Sequence, residues 1–112
     1  MTVKIGVFRK AVERVLRTVP PDLLGNLNGG FVVLPEEKPD GEYVIMGEYI
    51  EDPALGNMVV LYYGSFVDQL GEAPEEEWVE EIEETVFHEL RHHVELMAGV
   101  DDLSEEERAE LP

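Results

Sequence analysis

Two histidines four residues apart flank a glutamate in the run HELRH, which begins at His88 and ends at His92. If this segment is helical, both histidines project from one face, one turn apart, so both imidazoles can bind a single Zn²⁺. Glu89 lies beside them and can take a proton from a metal-activated water, then pass it to a leaving amine. The spacing therefore predicts a metal site of His88 and His92, with Glu89 as the general base of a hydrolytic reaction.

A catalytic zinc ion usually has three protein ligands, so a third ligand has to be found beyond the two histidines. Two glutamates share the histidine face of the helix. Glu84 precedes His88 by about 6 Å along the helix axis, and Glu95 follows His92 by about 4.5 Å. Both distances predict that these carboxylates reach the metal poorly.

The aspartates after Gly99 are the better candidates for the third ligand, because a glycine lets the chain turn back toward the histidines. We expect Asp102 to be this ligand, with Asp101, Glu95 or a water molecule as alternatives. An Asp after a helix end is also commonly the N-cap of a following helix, and this structural role stays open for both aspartates.

The remaining histidine, His93, occupies a different part of the predicted helix. It lies about 140° around the helix from His88 and therefore borders the apolar side. We expect a hydrogen-bonded histidine at the buried edge, or one whose ring donates to a backbone carbonyl, and not a metal ligand.

The chain is strongly acidic, with 26 Asp or Glu against 8 Lys or Arg in 112 residues and a formal net charge of -18. We expect no nucleic-acid partner, because binding a polyanion depends on Lys and Arg neutralising phosphates. The sequence has no cysteine, so any metal must be held by histidines and carboxylates. Residues 72–112 contain 16 of the acids and 2 of the bases, which is typical of a solvated surface on a small protein.

Length and hydropathy predict a single domain over residues 1–112. Hydrophobic residues make up 44% of the chain, enough for a folded core. No apolar run approaches the roughly 18 residues that a membrane helix needs, and the N-terminus lacks the apolar segment of a signal peptide. We therefore expect a cytoplasmic protein with no membrane partner.

Two helices are predicted from the spacing of apolar residues. Between residues 8 and 19, the apolar residues fall on one helical stripe, and Pro20 and Pro21 end this helix. Residues 75–98 form a longer helix that contains HELRH, has acids in its first turns and ends at Gly99. The apolar side of this helix is predicted opposite the histidines, at Val79, Ile82, Val86, Leu90 and Met97.

The segment between the helices is predicted to be extended. Residues 31–34 and 58–63 are apolar and rich in β-branched or aromatic residues, and residues 43–50 resemble them but are interrupted at Gly47. Residues 21–30 are predicted to form a turn or a half-helix. The fold class is therefore α+β, with an N-terminal helix, a small sheet of three or four strands and a long helix that carries the motif.

With these residues in hand, the chain resembles the minimal zincin-like metallopeptidases, a family of short bacterial proteins. The resemblance extends over nearly the whole sequence and includes the segments FRKAVERVLRTVPPDLL, FVVLPEE, LYYGSF and TVFHELRHH. It implies a minimal zincin-like fold, a Zn²⁺ cofactor and zinc-dependent hydrolysis of peptide bonds. The chain differs from the family pattern after His93, where the Gly and the acidic pair come about one helical turn later.

In other zincins a strand that lines the cleft binds an extended peptide by edge pairing, and we expect residues 58–63 to be that strand. Tyr62 or Tyr63 could donate to the oxyanion, although strand tyrosines more often pack in a core or interface. The expected substrates are short peptides or unfolded proteins. Two alternatives are a metal-binding module without turnover and an acidic interaction module, and no residue pattern assigns substrate-binding residues or an oligomeric state.

Overall fold

The computed structural model describes residues 2–25 and 27–102, with side chains through residue 99. The predicted order of helix, strands and long helix is confirmed, and the fold class is α+β. The elements are α1 (Ile5–Arg17), a short 3-10 helix (Pro21–Leu24), β1 (Gly30–Leu34), β2 (Lys38–Asp40), β3 (Tyr43–Ile45), β4 (Gly47–Asp52), β5 (Gly56–Tyr62), α2 (Tyr63–Leu70) and α3 (Glu75–Asp102).

Helix α1 is amphipathic and ends just before the two prolines, as its sequence predicts. Phe8 and Val12 are among its buried residues. After the last turn, the Thr18 hydroxyl donates to the carbonyl of Val15 at 2.6 Å, satisfying one of the carbonyls that a helix end leaves free. The prolines then start the 3-10 helix, which is the predicted half-helix.

Strand β5 lies at the centre of a three-stranded sheet with the order β1, β5, β4. It pairs in parallel with β1, where Gly30 lies opposite Met58, and antiparallel with β4, where Gly47 lies opposite Leu61. Strands β2 and β3 form a separate antiparallel hairpin. The prediction of a small sheet is confirmed, and β4 is one of its two edge strands.

The core lies between one face of the sheet and helices α1, α2 and α3. Because side chains alternate along a strand, β5 turns Val59 and Leu61 toward the helices and Val60 toward the opposite face. The strand residues that lie on the same side of the sheet as the motif are therefore those whose side chains point toward the helices. The buried residues of the main core are Phe8, Ala11, Val12, Val15, Val19, Val59, Leu61, Phe66, Trp78, Ile82, Val86 and Leu90.

Helix α3 is longer than predicted and continues through Gly99 to Asp102. The expected stop at Gly99 is wrong because a glycine in a helix interior costs only about 1 kcal/mol, which a 28-residue helix tolerates. The apolar side is also rotated relative to the prediction. Val79 is only half-buried, whereas the buried stripe comprises Trp78, Ile82, Thr85, Val86, Glu89, Leu90 and His93.

Helix α2 is absent from the sequence-based prediction, and it begins at Tyr63, which the sequence predicts as the end of a strand. It follows β5 directly and packs against the segment that precedes β2. There the Gly64 amide donates to the carbonyl of Glu36 at 3.1 Å. A Cβ at Gly64 would lie 2.5 Å from the amide nitrogen of Glu37, so only glycine fits. Across the described ranges, no helix is long and apolar enough to cross a membrane.

Candidate metal centre

His88 and His92 lie side by side on the exposed surface of α3, as the four-residue spacing predicts. Their ring centroids are 5.0 Å apart, and the ring planes are nearly perpendicular, at 88°. Both side chains are exposed. Two neighbouring imidazoles on one helix are a donor pair that suits Zn²⁺. The pair therefore fits two of the three protein ligands of a catalytic zinc ion.

Glu89 is buried between α3 and strand β4, and only 8% of its surface is exposed. The backbone N–H of Tyr49 donates a hydrogen bond to its carboxylate. Burial raises the pKa of Glu89 above the ordinary value, while His88 and His92 oppose this shift. Glu89 is thus a carboxylate with raised proton affinity, held beside the two histidines.

The register of β4 explains why a backbone N–H is available to Glu89. The Tyr62 amide donates to the carbonyl of Met46 at 2.9 Å, so Met46 and every second residue after it bond to β5. The intervening residues Gly47, Tyr49 and Glu51 turn their N–H and C=O groups away from β5. The outer edge of β4 therefore faces the motif and offers backbone donors and acceptors there.

Gly47 lets strand β4 approach α3 closely. A Cβ on Gly47 would lie 2.7 Å from Cγ2 of Thr85, closer than real Cβ contacts come, and 3.1 Å from Cδ2 of Leu61, which is tighter than most of them. The missing side chain thus sets the distance between the edge strand and the helix that carries the motif.

His93 ties three elements together and faces away from the other two histidines. Its ring is 1% exposed, with Nε2 2.7 Å from the Gly25 carbonyl and Nδ1 2.7 Å from the Tyr49 hydroxyl. Because a carbonyl can only accept, Nε2 carries the proton that it donates to Gly25, and in this tautomer Nδ1 accepts from the Tyr49 hydroxyl. The prediction of a buried histidine that donates to a backbone carbonyl is confirmed.

The third ligand is not assembled among the described side chains, where no three His, Asp or Glu residues come together to hold a metal. Glu95 lies 3.7 Å from Arg91, measured from Oε1 to Nε, in an exposed ion pair. The side chains of Asp101 and Asp102 lie outside the described residues. Since α3 continues through Gly99, the turn on which these candidates depended is absent, and Asp102 stays a prediction.

A cleft of about 370 Å³ opens next to the motif, between α3 and the start of β4. It brings His88 and Glu89 into one concave surface with strand backbone, which is the usual form of a small binding site. The lining residues are Ile45, Met46, Gly47, Glu81, Glu84, Thr85, His88 and Glu89.

The expectation that residues 58–63 bind a peptide by edge pairing is wrong, because β5 is paired on both sides. The two tyrosines at its end are also engaged elsewhere. Tyr62 lies on the sheet face opposite the helices, where its hydroxyl donates to the Glu48 carboxylate over a distance of 2.7 Å. The hydroxyl of Tyr63 donates to the carbonyl of Val3. Neither of these tyrosines is among the residues that line the cleft.

Tyr49 and Gly47 are functional candidates that the sequence reasoning missed. Gly47 had a detectable signal, because it interrupts an otherwise continuous extended run and a strand glycine often marks close backbone approach. Tyr49 had none, since both of its contacts with α3 join residues at least 40 positions apart in the chain.

Comparison with known proteins finds similarity to a family model and to solved structures. A family model described as zincin-like metallopeptidase matches residues 1–110 of the chain. Among solved structures, the chain is similar to a conserved hypothetical protein from T. thermophilus, with 37% sequence identity and a TM-score of 0.76. This similarity covers 86% of the present chain and 98% of the other. No curated protein matches the chain.

Proposed function

This chain belongs to the zincin-like metallopeptidase family, and from that premise we propose that it is a zinc-dependent peptidase. The observation that carries the proposal is the arrangement on α3. His88 and His92 have ring centroids 5.0 Å apart, and Glu89 lies beside them in the wall of a cleft. This arrangement supports the proposal, because metal-assisted hydrolysis requires metal ligands and a base, and two imidazoles and a carboxylate can serve as these.

Each residue of the motif has a distinct role in the proposed reaction. His88 and His92 would hold the zinc ion through ring nitrogens. The bound ion would polarise the substrate carbonyl and lower the pKa of a water molecule. Glu89 accepts a proton from that water on its carboxylate and delivers it to the leaving amine. Its raised pKa suits this role, because a base with a pKa nearer neutrality can both take and return a proton.

The outer edge of β4 is the proposed binding surface for the peptide backbone. Gly47 and Glu51 turn their N–H and C=O groups to this edge, and Tyr49 contributes a carbonyl there. An extended peptide can pair with such groups as an additional strand. Folded proteins rarely offer a free extended segment, so the proposed substrates are short peptides and unfolded chains.

Asp102 stays the proposed third zinc ligand, with Asp101, Glu95 or a water molecule as alternatives. An aspartate could bind the ion only if the last turns of α3 opened, because the continuous helix carries Asp102 away from His92. With a water there, the two histidines alone would anchor the ion to the protein. Such a site would bind zinc more weakly than one with three protein ligands.

The experiment that tests this function measures zinc content and peptide cleavage on untagged, zinc-reconstituted protein. His88→Ala should lose zinc, whereas Glu89→Gln should keep about one zinc per chain and lose at least about 100-fold in turnover of a peptide library. Glu83→Gln is the matched control, because Glu83 is exposed on the same helix and does not line the cleft. Cleavage that survives in Glu89→Gln would contradict the role of the base.

A metal-binding module without turnover is the second candidate function. The observation that favours it is that only two ligands come together among the described side chains. In that case the wild-type protein would bind zinc through His88 but cleave no peptide, whether or not zinc is present. Chelator-sensitive turnover of any peptide would rule this alternative out.

A further inference from the structure

We propose that the cleft beside His88 binds a lysine or arginine side chain of the peptide substrate. The site is the cleft of the proposed peptidase, so the catalytic meaning of this preference rests on the proposed function. The binding preference itself can be measured without any reaction.

Two carboxylates form the acidic wall of the cleft. Glu81 and Glu84 are three residues apart on α3, so they lie on the same helix face as His88. Neither side-chain carboxylate has a hydrogen bond or an ion pair among the residues that the structure describes. The cations that form ion pairs among the described residues bind other carboxylates: Arg14 pairs with Glu75, Lys38 with Glu48 and Arg91 with Glu95.

Glu89 adds a third carboxylate to the same concave surface, and it is more than nine-tenths buried. The backbone N–H of Tyr49 donates to it, but no Lys or Arg side chain lines the described cleft. His88 and His92 are the basic side chains beside this buried carboxylate. The carboxylate makes the local potential more negative, because a partly enclosed site screens charge less than open water does.

The opposite wall of the cleft is apolar. Ile45 and Met46 line it just before β4, and the methyl group of Thr85 lies near Gly47. Lysine and arginine pair an apolar stem with a cationic head, so the stem can lie on this wall while the head reaches Glu81 and Glu84. An acidic side chain would meet the carboxylates of Glu81 and Glu84, with His88 as the basic residue of the described lining, and an apolar one would leave both carboxylates without a partner.

The cleft also adjoins the outer edge of β4 at Gly47, where the peptide backbone is proposed to pair. A side chain that enters the cleft therefore belongs to a substrate residue close to His88. The preference should accordingly concern a residue near the cleaved bond and not a distant part of the peptide.

The test compares three fluorescent hexapeptides that differ at one residue, which is Lys, norleucine or Glu. Anisotropy titration of the metal-stripped wild-type chain measures their affinities without cleavage. The Lys peptide should bind about fivefold more tightly than the norleucine peptide, and the Glu peptide should bind most weakly. Equal affinity of the Lys and norleucine peptides would overturn the proposal, and this comparison needs no variant.

A pair of matched double variants separates the cleft from the overall negative charge. Glu81→Gln with Glu84→Gln should abolish the preference for Lys. Glu80→Gln with Glu83→Gln removes the same charge from positions of the same helix outside the cleft, and should preserve it. An equal loss in both double variants would show that bulk charge causes the preference, and would overturn the proposal.

Two further readouts distinguish this proposal from the proposed reaction. The cleft double variant should keep the zinc content of the wild type, since loss of zinc would make Glu84 or Glu81 a metal ligand and overturn the assignment. Zinc-loaded wild type should cleave the Lys peptide with the highest kcat/KM. If the zinc-loaded protein cleaves all three peptides equally well, the cleft does not select Lys, and only this further proposal is overturned. If the Lys peptide binds most tightly but no peptide is cleaved, the cleft proposal is supported and the peptidase function is rejected.

Discussion

Replacing Tyr49 with phenylalanine tests whether the edge strand is fixed to α3 in the way the structure indicates. The variant removes one hydroxyl and keeps the ring and the backbone N–H that donates to Glu89. The hydroxyl is 2.7 Å from Nδ1 of His93, whose ring is only 1% exposed, so water cannot readily replace it. Nδ1 would therefore lose its partner.

The expected cost follows from leaving a buried acceptor unpaired, which destabilises a protein by about 1 to 3 kcal/mol. For a chain of this length, 1 kcal/mol corresponds to about 4 °C in melting temperature, so Tyr49→Phe should melt about 4 to 12 °C below the wild type. The Nε2 bond from His93 to Gly25 is untouched, and therefore the variant should still fold.

Urea unfolding followed by far-UV circular dichroism measures this difference, and a thermal melt gives a second value. Tyr43→Phe is the matched control, because Tyr43 is 77% exposed in the neighbouring hairpin, and its hydroxyl should contribute little. The control should stay within about 0.5 kcal/mol of the wild type. If Tyr49→Phe and Tyr43→Phe have the same stability, the bond to His93 does not hold the edge strand.

Two further predictions concern the same strand. Gly47→Ala places a Cβ 2.7 Å from Cγ2 of Thr85 and should destabilise the protein by about 1 to 3 kcal/mol, with Thr85→Ser recovering part of the loss in a urea titration; absence of recovery would contradict the proposed clash. The hydrogen bond from Lys38 lowers the pKa of Glu48, so the stabilisation by this carboxylate should be present above about pH 4.3 and fade as the pH falls through its lowered pKa. The stability of wild type relative to Glu48→Gln should therefore shrink between about pH 6 and pH 3, and a constant difference across this range would contradict the assignment.

The parts of the fold that depend on local sequence could be predicted. The spacing of apolar residues places α1, and Pro20 ends it because proline disrupts a helix interior. The four-residue spacing of His88 and His92 is likewise local, since it requires only that their segment be helical. His93 could be assigned to the interior from its angular position alone.

The parts that depend on long-range pairing could not be predicted. Strand order is one of them, because nothing in the MVVLYY run distinguishes a central strand from an edge strand. Helix α2 is another, since Tyr63 and Gly64 are poor helix formers and the helix forms where tertiary packing stabilises it. The bond from Tyr49 to Glu89 requires the strand register and the helix position at once, and no single segment encodes both.

The central position of β5 has a consequence for the order in which the chain folds. Strands β4 and β5 are joined by a short turn between Asp52 and Gly56, so their pairing closes a small loop and costs little chain entropy. The parallel pairing with β1 joins Gly30 to Met58, about 28 positions away, and such non-local contacts form slowly. The hairpin that supplies the edge of the cleft should thus form early, and the docking of β1, on the far side of the sheet, should limit the folding rate.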